Sequence, residues 1–453
     1  MRLLSIRSYC GSKPGNRDWR AWLGRRFRTH GVWLVLLALA TAAACAADLV
    51  VPTRDQVAWE DLEVGMFCHF GLNTFHNLEW SDGRLDPRSF NPTHLDADQW
   101  VRVALSLGAK YLMFTAKHHD GFCLWPTATT DYSVRNSPYQ NGHGDVVGEV
   151  VAACRRHHLK VGLYLSPWDR HEARYKDKAA YDRFYARQLT ELLTRYGKLV
   201  EIWFDGAGSE GRQYDWPTII GAVKEYQPHA MIFNMGAPTI RWAGNEAGFA
   251  PDPNWDVVPA DQTLQFAFGR GHTTGTGTVW LPAECDVPIR GGWFYHTDNE
   301  ASLKSLDRLL DIYDKSVGRG ANLLLNIAPD RDGLIPAADA TRAREFGEAI
   351  GLRYGQPVCS AAGRGVALEL RLRPPRAVEA AIIQEDLRRG QRVQAYEVNA
   401  WVKGGWVTVA HGTSIGHKKI DRFGPVQTDR LRLRLTETLA QPVIRRFAAF
   451  AAN

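Results

Sequence analysis

Polar residues that can do chemistry stand at the ends of several short apolar runs in this sequence. The clearest case is residues 199–207, where a run rich in β-branched and aromatic residues stops at Asp205-Gly206. Such a run is typical of a buried strand that ends in a turn, so the Asp205 carboxylate stands on rigid backbone. An aspartate before glycine also caps helices and starts turns, and Asp205 taken alone favours that structural role.

The runs that precede and follow Asp205 end in residues of related chemistry. Imidazole and carboxylate groups hydrogen-bond hydroxyl groups, and indole rings pack on the C–H faces of sugars. A set of both kinds suits a neutral polyol, with one carboxylate as nucleophile and another as acid/base in glycoside hydrolysis. The residues concerned are His69, Glu79, Trp80, His118, His119, Tyr164, Trp203, Arg241, Glu246 and Glu284.

A metal site is the alternative for part of this set. His118, His119 and Asp120 are consecutive, and histidine with carboxylate is a common metal-binding combination. Adjacent histidines rarely face one ion, and no HExxH motif or carboxylate cluster supports one. The sequence therefore favours a site with no metal and no cofactor.

Strand-like and helix-like segments alternate between residues 55 and 350. Strands separated by helices predict a parallel sheet, and the length suits a (β/α)8 barrel of the TIM type. Active sites of such barrels lie at the carboxyl ends of the strands, where the residues above stand. No glycine-rich nucleotide-binding motif follows the first strand. The predicted strands are 65–71, 111–116, 161–166, 200–204, 231–236 and 322–327, and the predicted helices are 96–107, 146–157, 178–196, 216–226 and 303–316.

The pattern changes near residue 355. Short runs with period-two alternation follow at 366–372, 378–384, 393–401, 406–411 and 430–435. This alternation predicts a C-terminal antiparallel β-sandwich. We therefore expect three parts: a leader over 1–47, a catalytic barrel over 48–354 and the sandwich over 355–453.

The leader accounts for most of the charge of this 453-residue chain. Residues 1–31 hold eight basic residues and one acid, so the net charge of +6 becomes −1 without them. A near-neutral body argues against a nucleic-acid partner. The leader continues in a charge-free apolar run over 32–47, which is typical of a secretory signal and short for a membrane span. We expect export to the periplasm or the outside, with no membrane span in the mature protein.

A lipid anchor at Cys45 is the alternative to a cleaved signal, because residues 42–45 resemble a bacterial lipoprotein box without its usual leucine.

The five cysteines beyond the leader are odd in number and have no CxxC spacing. They indicate neither a disulfide framework nor a zinc site.

Two motifs in order carry a resemblance to a known family: residues 115–122, Thr-Ala-Lys-His-His-Asp-Gly-Phe, and residues 203–206, Trp-Phe-Asp-Gly. With 66–71, 162–166 and 322–330, they make residues 55–450 resemble the family 29 glycoside hydrolases, the α-L-fucosidases. The closer likeness is to the branch that acts on α-1,3/1,4-linked fucose. The resemblance implies a retaining exo-hydrolase of fucosylated oligosaccharides on a barrel with a C-terminal sandwich of discoidin type.

The resemblance also implies roles for the residues singled out above. Asp205 corresponds to the nucleophile and Glu246 to the acid/base of one branch, with Glu284 as the rival. The remaining residues of the set, including Arg241, are expected to bind substrate. A catalytically silent fucose-binding protein is the alternative function, and the presence of both carboxylates argues against it. Packing against the barrel is the expected role of the sandwich.

Overall fold

Eight parallel strands form a barrel, as the sequence predicts. The computed structural model describes residues 49–260 and 278–452, so the leader over 1–47 and the anchor at Cys45 lie outside the described residues. The barrel strands are β1 Val64–Cys68, β2 Tyr111–Lys117, β3 Lys160–Leu165, β4 Glu201–Trp203, β5 Met231–Phe233, β6 Arg241–Trp242, β9 Ala283–Pro288 and β10 Asn322–Asn326. Their order is β5-β4-β3-β2-β1-β10-β9-β6, and a parallel bridge between Phe233 and Ile240 joins the two end strands.

Two of these strands, β6 and β9, are not predicted by the sequence pattern. β6 is only two residues long, and no helix separates it from β5 in the described chain. β9 carries Glu284 and Asp286 and lacks the continuous apolar run of a typical buried strand. Between them a two-stranded antiparallel ribbon is formed by β7 Val257–Val258 and β8 Val279–Trp280.

The helices surround the barrel, and aspartate caps fix where several of them begin. Asp96, Asp145, Asp177 and Asp215 each accept a hydrogen bond from a backbone N–H three residues ahead. A cap of this kind stabilises a helix by about 1 kcal/mol. The helices are α1 Arg54–Glu60, α2 Leu72–His76, α3 Ala97–Leu107, α4 Val146–Arg156, α5 Lys178–Arg195, α6 Trp216–Tyr226, α7 Leu306–Lys315 and α8 Ala337–Tyr354.

Alternation along the strands decides which side chains face the barrel interior. In β4, Ile202 packs among the helices, whereas Trp203 packs among the interior side chains of the barrel. In β3, Tyr164 is likewise interior and its neighbours Leu163 and Leu165 face the helices. Because successive side chains of a strand point to opposite faces, Asp205 continues the interior side of Trp203 at the carboxyl end of β4.

The C-terminal module is an antiparallel sheet of six strands: β11 Cys359–Arg364, β12 Ala367–Glu385, β13 Val393–Val402, β14 Gly405–Gly412, β15 Lys419–Thr438 and β16 Val443–Ala451. Their order in the sheet is β11-β16-β12-β15-β13-β14. The sequence pattern predicts separate strands over 366–372 and 378–384, but the structure joins them in β12, with register shifts along its pairing to β15. The sequence pattern did not predict β11 or β16.

This module packs against the barrel through one face of its sheet. Ala380 and Ile382 of β12 join the main core of the barrel, while Ala381 and Ile383 belong to the module's own core. Ion pairs surround the contact: Asp61 accepts hydrogen bonds from His417 at 2.9 Å and Arg445 at 2.8 Å. Apolar alternation and charge pairing thus hold the two parts together.

Within residues 49–260 and 278–452, no helix combines the length and the apolar character that a membrane crossing requires.

Candidate active site

A cavity of about 320 Å³ opens at the carboxyl ends of the barrel strands. Its size is that of a small-ligand site. Seven residues of the predicted set line it: His69, Trp80, His118, His119, Trp203, Asp205 and Glu246. Its other lining residues are Phe67, Gly206, Ala207, Glu210, Phe233, Asn234, Trp242, Asp286 and Trp293.

Asp205 is fixed by hydrogen bonds from both sides. The Tyr164 hydroxyl donates to Oδ2 at 3.0 Å, and the backbone N–H of Ala207 donates to Oδ1 at 2.9 Å. His119 Nε2 lies 3.5 Å from Oδ2. The Asp205 side chain is 24% exposed, so the carboxylate is supported from below and open to the cavity.

The His69 imidazole is held as an acceptor toward the cavity. Asn326 Oδ1 lies 2.9 Å from His69 Nδ1 and also accepts the His69 backbone N–H, while Asn326 Nδ2 donates to the Trp293 carbonyl. These bonds assign a proton to Nδ1 and leave Nε2 to accept a hydroxyl proton. Burial lowers the pKa of His69 to about 3, so the ring is neutral at pH 7.

His118 and His119 complete the polar floor of the cavity. The Ser166 hydroxyl donates to the Trp168 carbonyl, so its oxygen accepts the Nδ1 proton of His119 at 2.7 Å. The His118 ring stacks on Tyr164 with centroids 5.7 Å apart. Burial lowers the pKa of both histidines below the ordinary value. The floor therefore offers neutral hydrogen-bonding groups.

Glu246 lies on the cavity wall in surroundings that favour its acid form. Burial raises its pKa, the negative charges of Asp205 and Glu79 add to that rise, and a hydrogen bond from the Trp293 side chain opposes it. Glu79 is bound to the same segment, because it accepts the Trp293 backbone N–H at 2.8 Å and contacts His296 Nε2 at 2.7 Å. A raised pKa is what a general acid needs near neutral pH.

Comparison with known proteins decides the family. The model of the family described as Alpha-L-fucosidase matches residues 48–352. The chain belongs to this family, glycoside hydrolase family 29. Alpha-L-fucosidase 1 of Arabidopsis thaliana is 37% identical over 439 residues, covering 87% of this chain and 86% of that protein.

Solved structures agree with this family 29 assignment. A Bacteroides ovatus protein is 42% identical with a TM-score of 0.84, covering 89% of this chain and 74% of that one. A family 29 fucosidase of Ruminococcus gnavus, solved in complex with fucose, is 28% identical with a TM-score of 0.81 over 89% of this chain and 95% of that one.

Two residues of the predicted set do not reach the cavity of this family 29 chain. Glu284 is fully buried beneath it, accepting the Tyr111 hydroxyl at 2.6 Å and the Trp203 indole N–H at 3.0 Å. Burial raises its pKa to about 7. Arg241 is also buried, and its guanidinium donates to the Leu281 carbonyl and to Asn254. Both side chains contact protein groups beside or below the site.

Two other residues of the predicted set contact the lining residues without lining the cavity themselves. Tyr164 hydrogen-bonds Asp205, and Glu79 hydrogen-bonds the backbone of Trp293.

Some residues that line the cavity were not predicted from the sequence. Trp293 follows Gly291-Gly292 shortly after β9, and a glycine pair with an aromatic residue past a strand end is a signal that could have found it. Glu210 stands on the loop after Asp205 and carried no such signal.

A buried ion pair supports the His118-His119 segment. Lys117 Nζ lies 2.9 Å from Asp169 Oδ2, with both side chains at most 2% exposed. Asp169 also accepts the backbone N–H groups of His171 and Glu172.

In the described part of the chain, no three His, Cys, Asp or Glu side chains come together as a metal site.

Proposed function

We propose that this chain is a retaining exo-α-L-fucosidase that removes terminal fucose by double displacement. The observation that carries the proposal is that Asp205 and Glu246 face one cavity whose floor is made of neutral imidazoles and aromatic rings. Membership of the family supports hydrolysis of α-L-fucosides. The two carboxylates supply both groups that the retaining mechanism requires.

In the first step the Asp205 carboxylate attacks the anomeric carbon while Glu246 gives its proton to the departing oxygen. A covalent fucosyl-enzyme forms and the acceptor sugar leaves as an alcohol. Tyr164 holds the attacking carboxylate in place through its hydroxyl. The neutral imidazoles accept or donate hydrogen bonds with the fucose hydroxyl groups and add no positive charge beside the nucleophile.

In the second step Glu246, now a carboxylate, removes a proton from water. The water oxygen attacks the anomeric carbon, the bond to Asp205 breaks, and fucose leaves with its α configuration. Glu246 regains its proton in this step, so the resting enzyme is restored. The roles require Asp205 charged and Glu246 protonated at the start, and the raised pKa of Glu246 agrees with that division.

We further propose that the enzyme prefers α-1,3- or α-1,4-linked fucose on branched glycans. Such a substrate carries a second sugar beside the fucose, so groups at the cavity mouth can add to transition-state binding. Trp80 and Trp242 line the cavity. Trp80 is 50% exposed, and Trp168 packs edge-on against it at 5.4 Å. These indoles give a branched sugar apolar faces on which to pack.

Proton NMR of the first product tests the proposal directly. Purified chain is mixed with an aryl α-L-fucoside and the anomer is observed before mutarotation. We expect α-L-fucose first, with β appearing later. Initial β-fucose contradicts retention, and absence of any hydrolysis, together with measurable fucose binding, supports the alternative of a silent fucose-binding protein.

We also propose that residues 1–47 direct export and are absent from the mature protein. The support is the basic and then apolar character of this segment. Mass spectrometry of the exported protein tests it. Cleavage near residue 47 without lipid supports a secretory signal, and a lipid on Cys45 replaces that proposal with an anchored form.

A further inference from the structure

We propose that Glu210 makes the cavity mouth select against fucosides whose neighbouring sugar carries a carboxylate or a sulfate. This inference rests on the proposed fucosidase function and names the class of substrate within it. The carboxyl groups of the cavity wall and the position of Glu210 along the depth of the cavity support it.

The exposure of the lining residues defines that depth. His69, His118 and His119 are each at most 8% exposed and form the closed end. Asp205 is 24% exposed, while Trp80 is 50% exposed and the Glu210 side chain is exposed to solvent. A terminal fucose occupies the closed end, so the sugar attached to it extends toward Trp80 and Glu210.

The cavity wall is negative and has no compensating cation among its described lining residues. Four carboxyl groups line it, those of Asp205, Glu210, Glu246 and Asp286, and none of the described lining residues is lysine or arginine. The mechanism starts with Glu246 protonated, and burial raises the pKa of Asp286 well above its ordinary value, so the negative charge of the wall rests on Asp205 and Glu210. The imidazoles are neutral at pH 7, because burial lowers the pKa of each. Arg170 stacks on Trp168 at 5.2 Å, but it is exposed and does not line the cavity.

The loop that carries Glu210 is anchored on both sides. Gly208 has φ +69° and packs so closely on Trp168 that an added Cβ would lie 2.0 Å from the indole. Ser209 Oγ lies 2.9 Å from the Tyr214 hydroxyl. Arg212 stacks 4.1 Å over the Tyr175 ring. The backbone at Glu210 is therefore fixed, and its charge stays at the mouth.

A fixed negative charge at a confined mouth repels an anionic neighbour sugar more strongly than it would in open solvent. Two like charges about 7 Å apart at a partly solvated site repel enough to change a rate by roughly three- to fiftyfold. Salt weakens the repulsion, because ions screen exposed charges. The selection should therefore fall as ionic strength rises, whereas a steric exclusion would not change.

The test compares a neutral α-1,3-fucosylated trisaccharide with the same compound sulfated on the sugar beside fucose. We expect wild-type kcat/KM to favour the neutral compound by at least about fivefold in low salt and to lose most of that ratio at about 0.5 M salt. Glu210→Gln should lower the ratio in low salt, and Glu210→Lys should bring it below one.

The matched control is Glu437→Gln, which removes the same charge from an exposed position in β15 of the C-terminal module. It should leave the ratio at its wild-type value. A wild-type ratio near one, a salt-independent ratio, or a ratio that Glu210→Gln and Glu210→Lys leave unchanged overturns the inference while fucosidase activity stands. Failure to hydrolyse either compound overturns the proposed function and the inference with it.

Discussion

Tyr164 of β3 and Asp205 at the end of β4 are joined by a 3.0 Å hydrogen bond from the Tyr164 hydroxyl to Oδ2. The Tyr164 ring is fully buried and stacks on Trp203 with centroids 5.3 Å apart. The carboxylate therefore takes its position from the interior of the barrel as well as from its own loop. A nucleophile held in this way needs little reorganisation before attack.

Replacing the nucleophile should abolish turnover and leave the fold intact. For Asp205→Ala we expect kcat to fall by at least about a thousandfold, because the covalent step loses its attacking group. Azide should restore turnover on an activated aryl fucoside by giving fucosyl azide of inverted configuration. The control Asp131→Ala removes an exposed carboxylate elsewhere and should keep wild-type kcat. An Asp205→Ala variant with a tenth or more of wild-type kcat removes Asp205 from this role.

Glu246 and Glu284 can be told apart by their dependence on the leaving group. Glu246→Ala should slow a natural oligosaccharide far more than an activated aryl fucoside, because protonation matters most for a poor leaving group. Glu284→Ala should instead destabilise the fold, since it leaves the Tyr111 and Trp203 donors without their acceptor. Kinetics on both substrates, with thermal unfolding, separate the cases. Leaving-group dependence in Glu284→Ala alone reverses the assignment.

The basic limb of the pH profile should follow Glu246. Its pKa is raised by burial first, so the acid form persists to higher pH than usual and kcat/KM falls as pH rises through that pKa. Trp293→Phe removes a hydrogen bond to the carboxylate and should move the limb up, whereas Glu79→Gln removes a negative charge and should move it down. Shifts of about half a unit are expected in profiles with a natural leaving group. Shifts of the same sign in both variants contradict the assignment.

The Lys117–Asp169 pair should matter for stability far more than a surface pair. Lys117→Met leaves Asp169 buried without its cation and should lower the free energy of unfolding by about 3–5 kcal/mol. Lys315→Met breaks a half-exposed pair with Asp311 and should cost less than about 1 kcal/mol. Urea unfolding of both variants makes the comparison. Equal losses in the free energy of unfolding for Lys117→Met and Lys315→Met would contradict this prediction.

How far the site could be predicted depended on strand length. The apolar runs over 161–166 and 200–204 are long enough to show where β3 and β4 end, so the sequence could place Asp205 at the carboxyl end of a barrel strand. β6 has only two residues, so no alternation in the sequence shows which of their side chains faces the cavity. Trp242 lines the cavity and Arg241 does not. In β9, Glu284 and Asp286 share a face but differ in depth, and depth along a strand is invisible in the sequence.

The last prediction concerns linkage. If the mouth binds a second sugar, kcat/KM on a Lewis-type trisaccharide with α-1,3- or α-1,4-linked fucose should exceed that on an α-1,2-fucosylated disaccharide. We expect a ratio of at least roughly tenfold, about 1.4 kcal/mol of differential transition-state binding. Trp242→Ala should lower this ratio, because the indole lines the cavity and is held by a 2.5 Å hydrogen bond to Asp286.

The control is Trp406→Ala in the C-terminal module, outside the cavity lining, which should leave the ratio unchanged. Competition between the two substrates in one reaction, followed by chromatography, measures the ratio directly. Equal rates, or a preference for the α-1,2 linkage, contradict the proposed preference, and the roles of Asp205 and Glu246 would stand unaffected.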